Sequence, residues 1–171
     1  MKGSGWTLTL ALLIATVGCD RVTKQLAVVH LAGAPAQSYL QNTIRLEYAE
    51  NKGAFLSLGA GLPDGIRTAV LTVGVSVLLI TIAILAVRRR WAGLPLAGVA
   101  LMWAGGASNL IDRASSGRVV DFLNVGVGSL RTGIFNVADV AVMLGAVLIV
   151  AGDLRPEWSQ QPPVKNSSSA P

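Results

Sequence analysis

Long apolar stretches alternate with short polar ones along the chain, and four of the apolar stretches stand out. The first begins at Trp6, runs through Leu12, Leu13 and Ile14, meets the polar pair Asp20-Arg21, and continues less apolar from Val22 to Leu31. The second covers Thr68 to Val87 and stops at Arg88-Arg89-Arg90. The third runs from Trp91 to Ile111 and the fourth from about Asn136 to Ala151. Each is near the ~20 residues that a helix needs to cross a bilayer. In lipid every backbone N–H and C=O must be paired internally, which leaves helices or closed barrels. The pattern therefore predicts a membrane all-α protein: four transmembrane helices with both termini on one side. Arginines and lysines occur on both sides, but the tight cluster at Arg88–Arg90, with Lys2, Arg155 and Lys165 on the same side, assigns that side to the cytoplasm.

The two outer segments are then Ala32 to Arg67 and Asp112 to Gly133. Alternation in Thr43-Ile44-Arg45-Leu46-Glu47-Tyr48 predicts a half-buried strand. Gly117 to Val125 also reads as a strand, with Gly126-Val127-Gly128-Ser129 as a turn. The expected picture is a small periplasmic β-platform and loop over the outer face of the bundle. Residues 1–155 form one integral membrane domain, and the polar run 156–171 is expected to be a disordered cytoplasmic tail.

Composition agrees: 52% of the 171 residues are hydrophobic and 13% charged, where a soluble domain carries roughly a quarter charged. A net charge of +5 raises the question of nucleic acid, but no basic stripe interleaves with aromatics, so no nucleic-acid partner is expected. One cysteine, Cys19, and one histidine, His30, build neither a disulfide nor a metal site. Thr16-Val17-Gly18-Cys19 has the look of a lipid-acceptor site, but the chain continues into three more spans, which favours a packed helix.

Against this background the polar residues at the span edges are the informative ones. Asp20 closes the first apolar run, Asn109, Asp112 and Arg113 close the third, and Asn136 and Asp139 open the fourth. Antiparallel connection brings all these ends to the outer face, together with Asp121 in Val119-Val120-Asp121-Phe122-Leu123. Ionisable residues at membrane depth are costly and mark function by default. Asn136 reads as an N-cap with Asp139 as its capping-box partner, a sufficient structural reason for Asp139 on its own. Asp121 lies inside an apolar strand, where burial raises a carboxyl pKa; a salt bridge to Arg118 or Arg113 is the competing explanation. Asp20 and Lys24 have the spacing of a helix ion pair, and Asp112-Arg113 reads as a lock on the end of the third helix. Two carboxylates held together can share one proton, which is what splitting an amide with activated water requires.

The pieces Asp20-Arg-Val-Thr-Lys24, Glu50-Asn51-Lys-Gly53-Ala-Phe55, Gly105-Gly-Ala-Ser-Asn109-Leu-Ile-Asp112-Arg113, Gly117-Arg-Val-Val-Asp121-Phe122 and Phe135-Asn136-Val-Ala138-Asp139 resemble, in order and spacing, the lipoprotein signal peptidases (signal peptidase II), intramembrane aspartyl proteases of bacteria. The resemblance implies an aspartic endopeptidase that removes signal peptides from diacylglyceryl-modified prolipoproteins, cleaving before the lipidated cysteine at the outer face of the inner membrane. It implies Asp121 and Asp139 as the catalytic pair. Asn51, Gly53, Asn109, Arg113, Asn136 and Ala138 would line the substrate site, and Asp20, Lys24 and Asp112 would support it. No metal or other cofactor is implied; the expected partners are prolipoprotein substrates and membrane lipids, with the enzyme a monomer. Two regions depart from the family pattern: Glu50 stands where an aromatic is usual, and the segment from Asp121 to Asn136 is compact. Both would touch substrate, so they bear on client preference.

Clustered intramembrane carboxylates also serve proton-coupled transporters, and a non-catalytic binder of lipoprotein precursors would keep the same surface. Transporter sites sit near the midplane of repeated folds. Here the acids gather at one face and no repeat is visible.

Overall fold

The computed structural model describes residues 3–53 and 63–154. Helix α1 spans Gly3–Leu31, α2 Asp64–Arg88, α3 Leu94–Ser116 and α4 Val137–Asp153; strands β1 (Gln37–Tyr39), β2 (Ile44–Asn51), β3 (Val119–Val127) and β4 (Leu130–Arg131) form one antiparallel sheet in the order β1-β2-β3-β4. The sheet leans on the C-terminal end of α1 and on α3.

α3 is the central helix and packs on the other three, whereas α2 touches α3 alone among the helices. Glycine makes the tightest of these contacts possible. A Cβ on Gly98 or Gly145 would lie 2.5 Å from the other's carbonyl oxygen, and one on Gly105 would collide with the Ala138 carbonyl. Small residues that let helix backbones approach closely are the usual solution in lipid, where apolar side chains gain little by leaving one apolar medium for another.

Among the described residues two helices, Gly65–Arg88 and Leu94–Ser116, are long and apolar enough to cross a membrane. α2 is apolar on all sides, and Val70, Val73, Val77, Leu78, Ile80 and Ile84 stand exposed. A helix of that kind is at home in lipid. α1 carries Asp20, Arg21 and Lys24, all of which turn towards α3.

Several boundaries differ from the sequence reading. α3 does not stop near Ile111: Ala114-Ser115-Ser116 offers no breaker, and the helix ends at Gly117, whose left-handed φ of 71° lets its N–H cap the Arg113 carbonyl. Asp112 and Arg113 are thus helical and not part of an outer loop, and so is Arg67 in α2. β2 extends to Asn51 across a bulge between Leu46 and Ala49, and β3 takes in Gly126 and Val127. β1 and β4 are too short for alternation to reveal. Lys2, Ala54, Phe55, Arg155, Lys165 and the tail 156–171 lie outside the described residues.

Candidate active site

Gly117 turns the chain from α3 straight into β3, which places Asp121 a few residues inside the strand, 2% exposed and opposite Ala49 of β2. Asn51 closes the same stretch of β2. Its Oδ1 accepts the Gly53 N–H at 2.8 Å, so its amide NH2 is the end that faces the acid and donates to Asp121 Oδ2 at 3.0 Å.

Asn136 is oriented by the same logic. As N-cap of α4 its Oδ1 accepts the Asp139 N–H at 3.0 Å, while Asp139 Oδ2 accepts the Asn136 N–H at 3.1 Å, completing a capping box. Only the NH2 of Asn136 remains, and it donates to Asp121 Oδ1 at 2.6 Å. One residue therefore binds both carboxylates, Asp121 through its side chain and Asp139 through its backbone.

Asn109 completes the set. Its Oδ1 accepts from Lys24 Nζ at 2.7 Å, and its NH2 donates to Asp139 Oδ1 at 2.9 Å. Both oxygens of each acid thus have a protein donor, and in all three asparagines a donor on the carbonyl side decides which way the amide points.

A charged layer lies below. The three protons of Lys24 Nζ match three acceptors at 2.7 Å: Asp20 Oδ2, Asn109 Oδ1 and Asp112 Oδ2. Asp20 is fully buried, accepts from Ser108 Oγ at 2.6 Å, and uses its other oxygen for the Ala138 N–H at 2.9 Å. That contact satisfies one of the free N–H groups at the start of α4. Arg21 joins Asp112 Oδ1 at 2.5 Å and the Ser108 carbonyl at 3.1 Å. Buried charges persist only when paired in this way.

Among the described residues Asp121 forms no ion pair with an arginine. Arg118 goes to Glu50 at 2.9 Å, and the guanidinium of Arg113 lies close enough to Asp121 and Asp139 for their charges to interact. The Asp121 carboxyl is pushed up to about 6, first by burial and next by the charge of Asp139; Asn51, Asn136 and Lys24 work in the opposite direction.

A cleft of about 650 Å³ opens between α2 and the end of α3, with Lys52, Thr68, Thr72, Arg113 and Arg118 on its walls; neither acid lines it, and Arg113, whose charge interacts with both, connects it to them. Arg113 Nε is buried without a hydrogen-bond partner among the described residues.

The structure thus gathers Asp20, Lys24, Asn51, Asn109, Asp112, Asp121, Asn136 and Asp139 into one connected network, with Arg113 at its edge. Three residues expected to line the substrate site lie in the interior. Asn136 and Ala138 are both fully buried, the first spent on the acids and the second wedged between Asp20 and Gly105, so neither faces the cleft. Gly53 is buried as well: its φ is 105°, and a side chain there would strike Leu71. Reading the sequence alone assigned no role to Ser108 or Arg21. Their signal was present, since both are polar residues beside Asn109 and Asp20 within apolar runs.

Comparison with known proteins identifies the family. Residues 12–155 match the family model described as signal peptidase (SPase) II. Among curated relatives, the lipoprotein signal peptidase of Chlorobium phaeovibrioides is 35% identical over 148 residues, covering 81% of this chain and 85% of that protein. That of Sphingopyxis alaskensis is 34% identical, covering 84% of each. A solved structure described as a bacterial membrane enzyme superposes with a TM-score of 0.74 at 22% identity, covering 86% of this chain and 92% of the other, and establishes a shared fold. The chain belongs to the signal peptidase II family.

Proposed function

We propose that Asp121 and Asp139 are the catalytic pair with which this membrane peptidase removes signal peptides from prolipoproteins, by hydrolysis of the amide bond before a diacylglyceryl-modified cysteine. The observation that carries this reading is the double grip of Asn136, whose side chain binds Asp121 and whose backbone binds Asp139. Two acids fixed to one asparagine, one of them with its pKa near 6, are suited to sharing a single proton. In the reaction, ionised Asp139 takes a proton from water as its oxygen bonds to the scissile carbonyl carbon. Protonated Asp121 gives its proton to the carbonyl oxygen. The gem-diol intermediate then collapses: one hydroxyl proton returns to Asp121 as the C=O bond re-forms, the C–N bond breaks, and the leaving nitrogen takes the proton held by Asp139.

The same reading covers the surroundings. All four helices cross the inner membrane as one domain, with both termini in the cytoplasm and the sheet and acids at the periplasmic surface. Substrate helix and lipid chains enter sideways from the bilayer, and water comes from the aqueous side. Arg113, with Nε unpaired at the edge of the cleft, is the donor placed for a substrate carbonyl or phosphate oxygen. The enzyme acts as a monomer.

The decisive experiment incubates purified protein in micelles with a diacylglyceryl prolipoprotein and detects the released signal peptide. Cleavage by the wild type, and its loss by at least a thousandfold in both Asp121→Asn and Asp139→Asn, is the expected result. Turnover retained in both variants overturns the assignment of the pair.

A further inference from the structure

Among the described residues outside the helices and their caps, large exposed apolar side chains occur at two places only, the tips of the two hairpins. The β1–β2 hairpin carries Tyr39 and Leu40, the latter 71% exposed; the β3–β4 hairpin carries Val127 at 75% and Leu130 at 83%. Elsewhere in the sheet Ile44, Leu46, Tyr48, Phe122, Leu123 and Val125 are at least partly covered.

The tips are adjacent and cross-braced. Gly126 N–H donates to the Thr43 carbonyl at 2.9 Å, and Arg131 Nη1 donates to the Asn42 carbonyl at 2.6 Å while its Nε bonds Asn124 Oδ1. Arg45 Nε fixes the Asn42 side chain at 2.6 Å. This bracing holds an uncommon backbone, because Leu40, Gln41 and Asn42 have consecutive φ values of 49°, 53° and 69°. Left-handed geometry costs free energy in residues other than glycine, and surrounding bonds must over-determine it for it to persist. The outcome is a rigid loop that displays Leu40 to its surroundings.

Charge indicates what those surroundings are. Neither 37–46 nor 124–133 contains an aspartate or glutamate, whereas each contains an arginine, Arg45 and Arg131. Apolar tips backed by guanidinium groups and free of carboxylates match an anionic bilayer surface, with acyl chains below and phosphates above. We propose that the paired hairpin tips, through Leu40, Val127 and Leu130, insert into the lipid interface of the membrane that holds the helices. This second attachment fixes the tilt of the sheet, and with it the position of Asp121 on β3 relative to Asp139 on α4. The proposal rests on the chain being a membrane protein and not on the identity of its substrate.

The test is a depth measurement in vesicles of phosphatidylethanolamine and phosphatidylglycerol. In a Cys19→Ala background, nitroxide labels are placed at Leu40→Cys, Leu130→Cys and, as a control within a span, Val77→Cys. Collision rates with oxygen and with a water-soluble nickel complex then report depth. The expected result is oxygen access and nickel protection at both tips, as at Val77. Free nickel access at the tips, with Val77 protected, overturns the proposal and leaves the membrane assignment standing. Protection from both reagents at the tips means that protein covers them, and it overturns the proposal too. A functional arm uses Leu40→Glu/Leu130→Glu: cleavage in the same vesicles should fall severalfold while cleavage in detergent micelles is unchanged. Equal cleavage in vesicles would show that the tips have no anchoring role.

Discussion

When Asp121 folds into a site where it is 2% exposed, it exchanges water for the amides of Asn51 and Asn136, and these compensate only in part. The carboxyl rises from 3.8 to about 6, equivalent to about 3 kcal/mol between its two protonation states. The folded protein therefore holds this proton more tightly than the unfolded chain. Ionised Asp121 penalises folding in full above about pH 6, and the penalty fades as pH falls from about 6 towards the unfolded value near 4. Asp121→Asn should abolish cleavage and yet unfold at a higher temperature than wild type at pH 8, the gap closing near pH 4; thermal unfolding in micelles at both pH values checks it. A second expectation follows from the causes of the shift. Asp139→Asn removes the neighbouring negative charge, so the Asp121 titration, followed by its carboxyl infrared band, should move down; an unchanged midpoint would mean that the acids do not interact. At this scale the sequence was largely legible, because Asp121, Asp139 and the asparagines are polar residues in apolar runs and cannot be there by default. The amide orientations were not legible. They depend on which donor reaches each carbonyl oxygen, and Gly53, Lys24 and the α4 backbone come together only in the fold.

α3 and α4 carry these residues on a seam of small ones. Pro95 faces Gly152, Gly98 faces Gly145 and Gly105 faces Ala138, an antiparallel series that brings Asn109 to the start of α4. A side chain at Gly145 would meet the Gly98 carbonyl and Met102, so Gly145→Leu should force the helices apart at a cost of about 1–3 kcal/mol or more. Because Asn109–Asp139 spans that joint, cleavage should fall along with stability. Gly74→Ala on α2 is the matched control. Nothing lies within 4 Å of its Cβ position, so helix propensity alone should leave it neutral or more stable by up to about 1 kcal/mol. Thermal unfolding and turnover of both variants decide the point, and equal effects would refute the close-packing account. Apolar periodicity did reveal that four helices exist, since their length exceeds any strand. It could not reveal which faces touch, because in lipid a buried and an exposed apolar face have the same composition. The end of α3 escaped for a related reason: Ala114-Ser115-Ser116 is compatible with either helix or loop, and only the left-handed Gly117 settles where the turn falls.

Taken whole, the molecule has two unlike ends. The last turn of α1, the Gly117 cap of α3, the first turn of α4 and all four strands share one end with both acids. The opposite end holds Arg88 at the close of α2 and the α2–α3 loop with Arg89 and Arg90, and there Arg89 meets Asp153 at the close of α4 at 3.2 Å. An exposed pair of this kind contributes little stability, but it fixes the loop and the end of α4 on the same face. On the proposed topology the arginine cluster in so short a loop faces that end to the cytoplasm, because short loops rich in Lys and Arg are retained on the inner side. In the Cys19→Ala background, Ala36→Cys, exposed between α1 and β1 and away from the hairpin tips, should react with a membrane-impermeant maleimide in intact spheroplasts, and Ala92→Cys should react only after the membrane is broken. The reverse pattern would place the carboxylates on the cytoplasmic surface, and a substrate processed on the outer leaflet could then not reach them. Reaction at both positions would mean that the short loop does not govern insertion, and orientation would have to come from the basic residues in the outer segments. The labelling pattern thus tests the hydrolytic assignment by a route that requires no turnover, because water and substrate must meet on the face to which the arginine loop does not belong.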